Sequence, residues 1–305
     1  MKRCPVDGVG LWPFTRSTVV ACVLLAFVGM IAVAAPQEPV TPKLKKRVEN
    51  IYEAVKEISE NQASAFITFL DKLAKKDTED TGGKLEQFIR QHVDINHLFA
   101  PDERVFGLVI AQLVGDRVVV AANNPDDKAG VVMFFDRKRG RMLSKDECHQ
   151  IGSVEVVRIP GATPSSLVLV KHRMVSATSW NYEEARLYLP LPTGGIPVWK
   201  GISEELIAGW NAFKEEANGP MVFRFDTAYS SKDGRVVLRR TGRIDFQNWD
   251  EKVVRTLPLP AEEFTWDGTA GRFAQTVGRT NGNLLTERYC DFATPIGDWC
   301  KKQTR

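Results

Sequence analysis

Histidine is scarce in this 305-residue chain, with four in all, and no two of them form the His-Glu-x-x-His pair of a helix-borne zinc site. There is no Gly-x-Ser-x-Gly turn to raise a serine nucleophile and no glycine-rich loop to cradle phosphate. These absences remove the usual sequence-readable routes to hydrolysis and phosphoryl transfer. A surplus of one charge is missing too. Removing Lys2, Arg3, Arg16 and Asp7 with a leader turns 41 basic and 38 acidic residues into 38 and 37. Nucleic acid as the main partner would call for a clustered basic excess, so it is not expected.

Long apolar runs are also rare, and the single one present sets the compartment. Ser17 to Gln37 carries no charge, and Lys2, Arg3 and Arg16 precede it. Leu24, Leu25, Phe27, Val28, Met30 and Ile31 form its centre, and Ala32-Val33-Ala34 places small residues where a signal peptidase reads. The expected cleavage lies between Ala34 and Ala35, giving a periplasmic or secreted protein. The alternative is an uncleaved transmembrane anchor, which needs about 20 apolar residues, a length this run only just reaches. In that case the segment is also the membrane contact. A lipid-modified Cys22 does not fit, because Cys22 lies near the start of the run rather than after it.

Cysteine is sparse after the leader. Cys4 and Cys22 leave with it, and Cys148, Cys290 and Cys300 remain. An oxidising compartment favours bridges, and Pro295 and Gly297 let the chain turn back between Cys290 and Cys300, so that pair is the expected disulfide. Cys148 is then unpaired.

Four segments follow from pattern: a signal peptide over 1–34, an extended linker over 35–41 set by Pro36, Pro39 and Pro42, a helical arm over 42–100, and a β domain over 101–305. In the arm, Thr41-Pro42 reads as an N-cap and first helical position. Leu44, Val48, Ile51, Val55 and Ile58 then recur at helical spacing. The register slips at Asn61-Gln62 and resumes with Phe66, Ile67, Leu70 and Leu73. Leu85, Phe88, Ile89 and His92 form a further stripe after Thr81-Gly82-Gly83. A helical hairpin packed on something larger is expected.

From Val105 onward short β-branched runs alternate with turns, among them Gly115-Asp116 and Ser231-Lys232-Asp233-Gly234, the latter a hairpin signal. Gly201-Ile202-Ser203-Glu204-Glu205 reads as the opening of one inserted amphipathic helix, near 203–216, with Ser203 as its cap. The expected fold is therefore mainly β (α+β): an antiparallel β-rich domain, as sandwich, barrel or blade-like repeats, behind an N-terminal helical hairpin.

Two stretches share a layout. Val154 to Gly201 and Met221 to Phe273 each run strand, turn, strand, polar excursion, then an aromatic strand end, with Trp266-Asp267-Gly268 in the second. This layout resembles the FG-GAP-type (integrin-like) repeats of exported bacterial proteins, which implies small antiparallel sheets. That family holds calcium in an Asp-x-Asp-x-Asp-Gly turn. Here only Asp233-Gly234 is present, with Pro160-Gly161 in the other unit, so calcium is not implied.

Candidate chemistry is thin. His92, Asp94 and His97 carry zinc-type ligands, but a spacing of five puts His92 and His97 on different helix faces. His149 and His172 have no ligand-spaced neighbour. Glu183-Glu184 and Glu262-Glu263 are adjacent carboxylates that a strand points to opposite faces, with a solvated strand edge as the plain reading. Trp180, Tyr182, Tyr188 and Trp199 either pack the sheet or line a glycan- or peptide-binding face. No catalytic residue, metal or cofactor is expected. Three functions stay open: an exported non-catalytic binding or assembly module with a cell-envelope protein, glycan or lipid partner; a periplasmic carrier of an apolar ligand, of half-barrel type; and a hydrolase whose site is assembled from distant residues.

Overall fold

A computed structural model describes residues 42–75, 81–126, 128–175, 180–207 and 219–277. Three helices come first: α1 (Pro42–Asn61), α2 (Ala63–Ala74) and α3 (Thr81–His92). Pro42 opens α1, as a residue with no N–H to leave unsatisfied should. The register slip at Asn61-Gln62 is the break between α1 and α2, with Gln62 outside helical geometry at φ −136°.

The rest of the described residues form a single open antiparallel sheet in which each strand pairs with the next in sequence. Its strands are β1 (Val109–Val114), β2 (Arg117–Asn123), β3 (Ala129–Asp136), β4 (Met142–Arg158), β5 (Ser166–Val175), β6 (Trp180–Leu191), β7 (Gly194–Ile207), β8 (Met221–Lys232), β9 (Arg235–Gln247), β10 (Val253–Asp267) and β11 (Arg272–Val277). The β8–β9 turn is the expected hairpin, with Asp233 and Gly234 both at positive φ (52° and 72°), the geometry that matches strand twist. Among the described residues no helix is long and apolar enough to cross a membrane.

The sheet packs on itself because several strands are apolar on both sides. Successive side chains on a strand point to opposite faces. In β2 and β3, Val118, Val120, Ala122, Val131, Met133 and Phe135 pack on Val48, Ile51, Val55, Ile58, Phe66 and Leu70 of α1 and α2. Their neighbours Val119, Ala121, Val132 and Phe134 pack on Val168, Val170 and Tyr188 of β5 and β6. The reverse face of β5 and β6, with Leu167, Leu169 and Leu187, meets Trp199, Leu238, Phe264, Trp266 and Phe273. Three apolar seams therefore separate the helices, the β1–β3 layer, the β5–β7 layer and the β9–β11 layer. At the middle seam a Cβ on Gly195 would lie 2.1 Å from the Phe134 ring, so β7 can approach β3 only with glycine there.

Strand β4 joins two of these layers. Its first half, Met142 to His149, pairs with β3, and its second half, Gln150 to Arg158, pairs with β5 through a bulge between Ile151 and Ser153. Asn123 pins the change of direction. Its buried amide donates to the Ile151 carbonyl at 2.9 Å and accepts from the Ile151 N–H at 2.7 Å, acting as a short piece of strand.

One expectation is corrected. The helix expected near 203–216 is absent over its first part, since residues 203–207 continue β7 and 208–218 lie outside the described residues. Pairing decides this: Glu204 and Leu206 face Arg224 and Val222 of β8, and the Ser203 hydroxyl donates across the ladder to Glu183 instead of capping a helix. Strand β9 is continuous from Arg235 to Gln247. Gly242 marks a close approach to the Phe225 ring, 2.6 Å from where its Cβ would stand, and does not interrupt the strand.

Candidate functional site

At the bend of β4 the sheet register gathers a polar network inside the middle seam. Tyr182, Glu184, Arg186 and Tyr188 share one face of β6 at a spacing of two. His172 comes from β5, and Asp146, Cys148 and His149 from β4. Arg186 is the hub, with Nη2 donating to Glu184 Oε1 at 2.9 Å and Nη1 to Asp146 Oδ2 at 2.8 Å. Tyr188 Oη donates to the same Asp146 oxygen at 2.7 Å. His172 is 1% exposed and its Nε2 lies 3.1 Å from Glu184 Oε1. The rings of His149 and His172 stand 5.9 Å apart, and Tyr182 meets His149 edge-on at 6.4 Å.

The electrostatics keep this network closed. Burial works to raise the Glu184 carboxyl, but hydrogen bonds from His172 and Arg186 and the Arg186 charge outweigh it and hold the group at about 2. Burial raises the Tyr188 phenol well above its ordinary value. Cys148 touches solvent with part of its surface, yet its surroundings are those of the interior, and burial pushes its thiol up to about 12. A thiol of that kind is not a nucleophile, because the thiolate is the reacting species. At pH 8 its alkylation in the folded protein should run about a thousandfold slower than that of an ordinary cysteine. Peptide mapping of iodoacetamide adducts at Cys148, native against urea-unfolded, measures this; equal labelling would refute it.

A second buried pair sits at the seam between β7 and β9–β10. Arg240 is 2% exposed; its Nη1 lies 2.8 Å from Glu262 Oε2, and its Nη2 donates to the Ile202 carbonyl. The guanidinium lies 3.5 Å over the Phe225 ring, a favourable stacking for a weakly hydrated cation.

The third feature is outside. The turn from β9 to β10 is ordered by Asn248, whose Oδ1 accepts the N–H groups of Asp250 and Lys252 and whose own N–H donates to the Lys252 carbonyl. This ordered turn presents Trp249, 67% exposed, beside the exposed Val253 and Val254. The adjoining sheet face is a charged ladder, with Asp245 accepting from Arg224, Arg243 and Thr256, and Arg224 also paired with Glu204.

The residues singled out from sequence distribute as follows. Glu183 and Glu184 do point to opposite faces, Glu183 to Ser203, Lys171 and Arg173 and Glu184 to the network. The solvated edge expected for the two carboxylate pairs is corrected, since Glu262 is buried against Arg240 and Glu184 is half-buried in the network, while Glu263, beside Arg239, lies at the rim. Tyr188 and Trp199 fill different seams and do not share a binding face; the side chain of Trp180 lies outside the described residues. His92 bonds to the Phe88 carbonyl and lies tilted against its ring, and His97 bonds to the Asp94 carbonyl. His149 and His172, without ligand-spaced neighbours in sequence, are brought together by register. No group of three or more side chains able to hold a metal converges among the described residues. Ala34, Ala35, Cys290 and Cys300 lie outside the described residues, and Cys148 is a free thiol.

Sequence reasoning missed the network and the Arg240–Glu262 pair. The signal for the first was the alternation of polar residues at 182, 184 and 186 ahead of Tyr188. No known family model matches the chain, and no curated protein matches it either.

Proposed function

We propose that this is an exported, non-catalytic binding or assembly module whose partner contact is the end of the β9–β10 hairpin. The observation that carries the reading is Trp249, held in water by an ordered turn beside exposed Val253 and Val254. A large apolar side chain fixed outward on a rigid element suits an anchor that enters a partner's pocket. The neighbouring Arg224–Asp245–Arg243 ladder supplies the polar rim of such a contact.

Other features point the same way. The cysteine and tyrosine of the inner network are held protonated, which disfavours nucleophilic chemistry there. The seams are filled by large side chains such as Phe134, Tyr188, Leu238 and Trp199, which favours a binding module over a carrier of an apolar ligand. Export belongs to the same proposal and rests on the Ser17–Gln37 run and Ala32-Val33-Ala34. The FG-GAP-type likeness stays with it as a likeness of layout, with Asp233-Gly234 serving as a hairpin turn.

The test places a photo-crosslinking residue at 249 and, in a second strain, at 233, the opposite end of β9. A discrete adduct with an envelope component at 249 and none at 233 is the expected result. Equal adducts, or none at 249, would dismiss the surface. A stoichiometric lipid released from the purified protein and seen by mass spectrometry would favour the carrier instead.

A further inference from the structure

We infer that the contact of His149 with His172 at the bend of β4 is acid-responsive, keeping β4 and β5 packed while His149 is neutral and loosening them when His149 is charged. The inference does not depend on the binding surface proposed above.

The chemistry starts from Glu184. Its carboxyl is ionised and accepts only, so the hydrogen bond at 3.1 Å requires the proton of a neutral His172 to sit on Nε2. That leaves Nδ1, which is buried and has no hydrogen-bond partner among the described residues.

The groups around the pair decide how many protons the site accepts. From β4 come Asp146, Glu147 and Cys148; from β6, Tyr182, Glu184, Arg186 and Tyr188; from β7, Glu205 acts through its neighbour Tyr182. Across from His149 on β3 stands Ala129, which carries no charge. Arg173 follows His172 in sequence but pairs with Glu183 on the other face. Within the bonded network, two carboxylates, Asp146 and Glu184, face one cation, Arg186. One added proton balances them. A second sets two imidazolium rings 5.9 Å apart beside Arg186, and like charges that close in a partly buried site repel.

The sign follows from His149. Burial, then the neighbouring His172 and Arg186, hold its imidazole below the ordinary value, with Glu184 opposing. The unfolded chain then takes up this proton first, so stability is complete above about pH 6.5, the ordinary imidazole range, and falls as pH drops below it. Glu184, held at about 2, stays ionised through that window. Its own contribution is lost separately, as pH falls from the ordinary carboxylate range toward 2.

Hydrogen exchange of the full mature chain at pH 7.5 and 5.5, corrected for intrinsic exchange, tests the inference. Amides of residues 150–157 and 167–172 should lose protection at the lower pH, by up to about tenfold, the most that one imidazole with an ordinary value near 6.5 can contribute by pH 5.5. Amides of β2 should hold theirs. His149→Gln, at a half-buried position, should abolish the difference, and His92→Gln/His97→Gln should retain it. Equal protection of the wild type at both pH values, or an undiminished difference in His149→Gln, would overturn the inference. His172→Gln gives a second reading where it folds, and His149→Gln decides alone where it does not.

Discussion

Ile51→Asp is expected to unfold the sheet together with the helices. Ile51 is fully buried on α1, and its cluster includes Val118, Val120, Val131, Met133 and Phe135 of β2 and β3. A carboxylate placed there has no described cation in that seam, and an uncompensated buried charge costs about 3–5 kcal/mol. Domains of ordinary stability hold only about 5–15 kcal/mol in total, so most of the margin goes. Urea unfolding followed by far-UV circular dichroism in the β region and by tryptophan fluorescence should show both signals moving together to lower denaturant. Glu60→Ala, on the exposed side of α1, should stay within about 0.5 kcal/mol of the parent. A strand signal that keeps its midpoint in Ile51→Asp would show that the helices are an independent arm.

Truncating Arg240 to Ala should be nearly as damaging. Its loss removes the Arg240 cation from the buried Glu262 carboxylate and the guanidinium donor from the Ile202 carbonyl. Breaking one half of such a pair costs about 3–5 kcal/mol, whereas replacing both halves by apolar side chains of similar volume is often neutral. Arg240→Met/Glu262→Leu should therefore recover most of the stability lost in either single variant, a large coupling in a double-mutant cycle. High salt should leave the wild-type value almost unchanged, because a pair this deep is poorly screened. Additive losses in the double variant would show that the pair does not act as a unit.

The parts of this fold that could be read from residues are those governed by local rules. Pro42 and the stripe from Leu44 to Ile58 specify α1, and the slip at Asn61-Gln62 gives its end. Asp233-Gly234 specifies a two-residue hairpin. What failed depended on partners distant in sequence. Gly201 to Glu205 reads as the opening of a helix, and pairing with β6, joined by β8 from Glu204 onward, makes it strand. The open-versus-closed question was equally non-local, though the unbroken apolar runs Val118–Ala122 and Val131–Phe135 already carried the sign of strands buried on both faces. The inner network draws on residues from 146 to 188. Its members meet only because β4 pairs with β5 and β5 with β6 in one particular register.

The strand order has a consequence for how the chain assembles. Because every strand bonds to its immediate predecessor, each hairpin can close as soon as its second arm is available, without waiting for a distant segment. Hairpins close in about 1–10 μs, and the entropy of closing short loops is small. The N-terminal helices, β1, β2 and β3 already share a complete apolar cluster, which can serve as a platform on which later strands zip in turn. Strand β4 is then the step at which growth turns from that platform to the next layer. A chain built in this sequence can mature from its N-terminus toward its C-terminus, in the order in which it is synthesised.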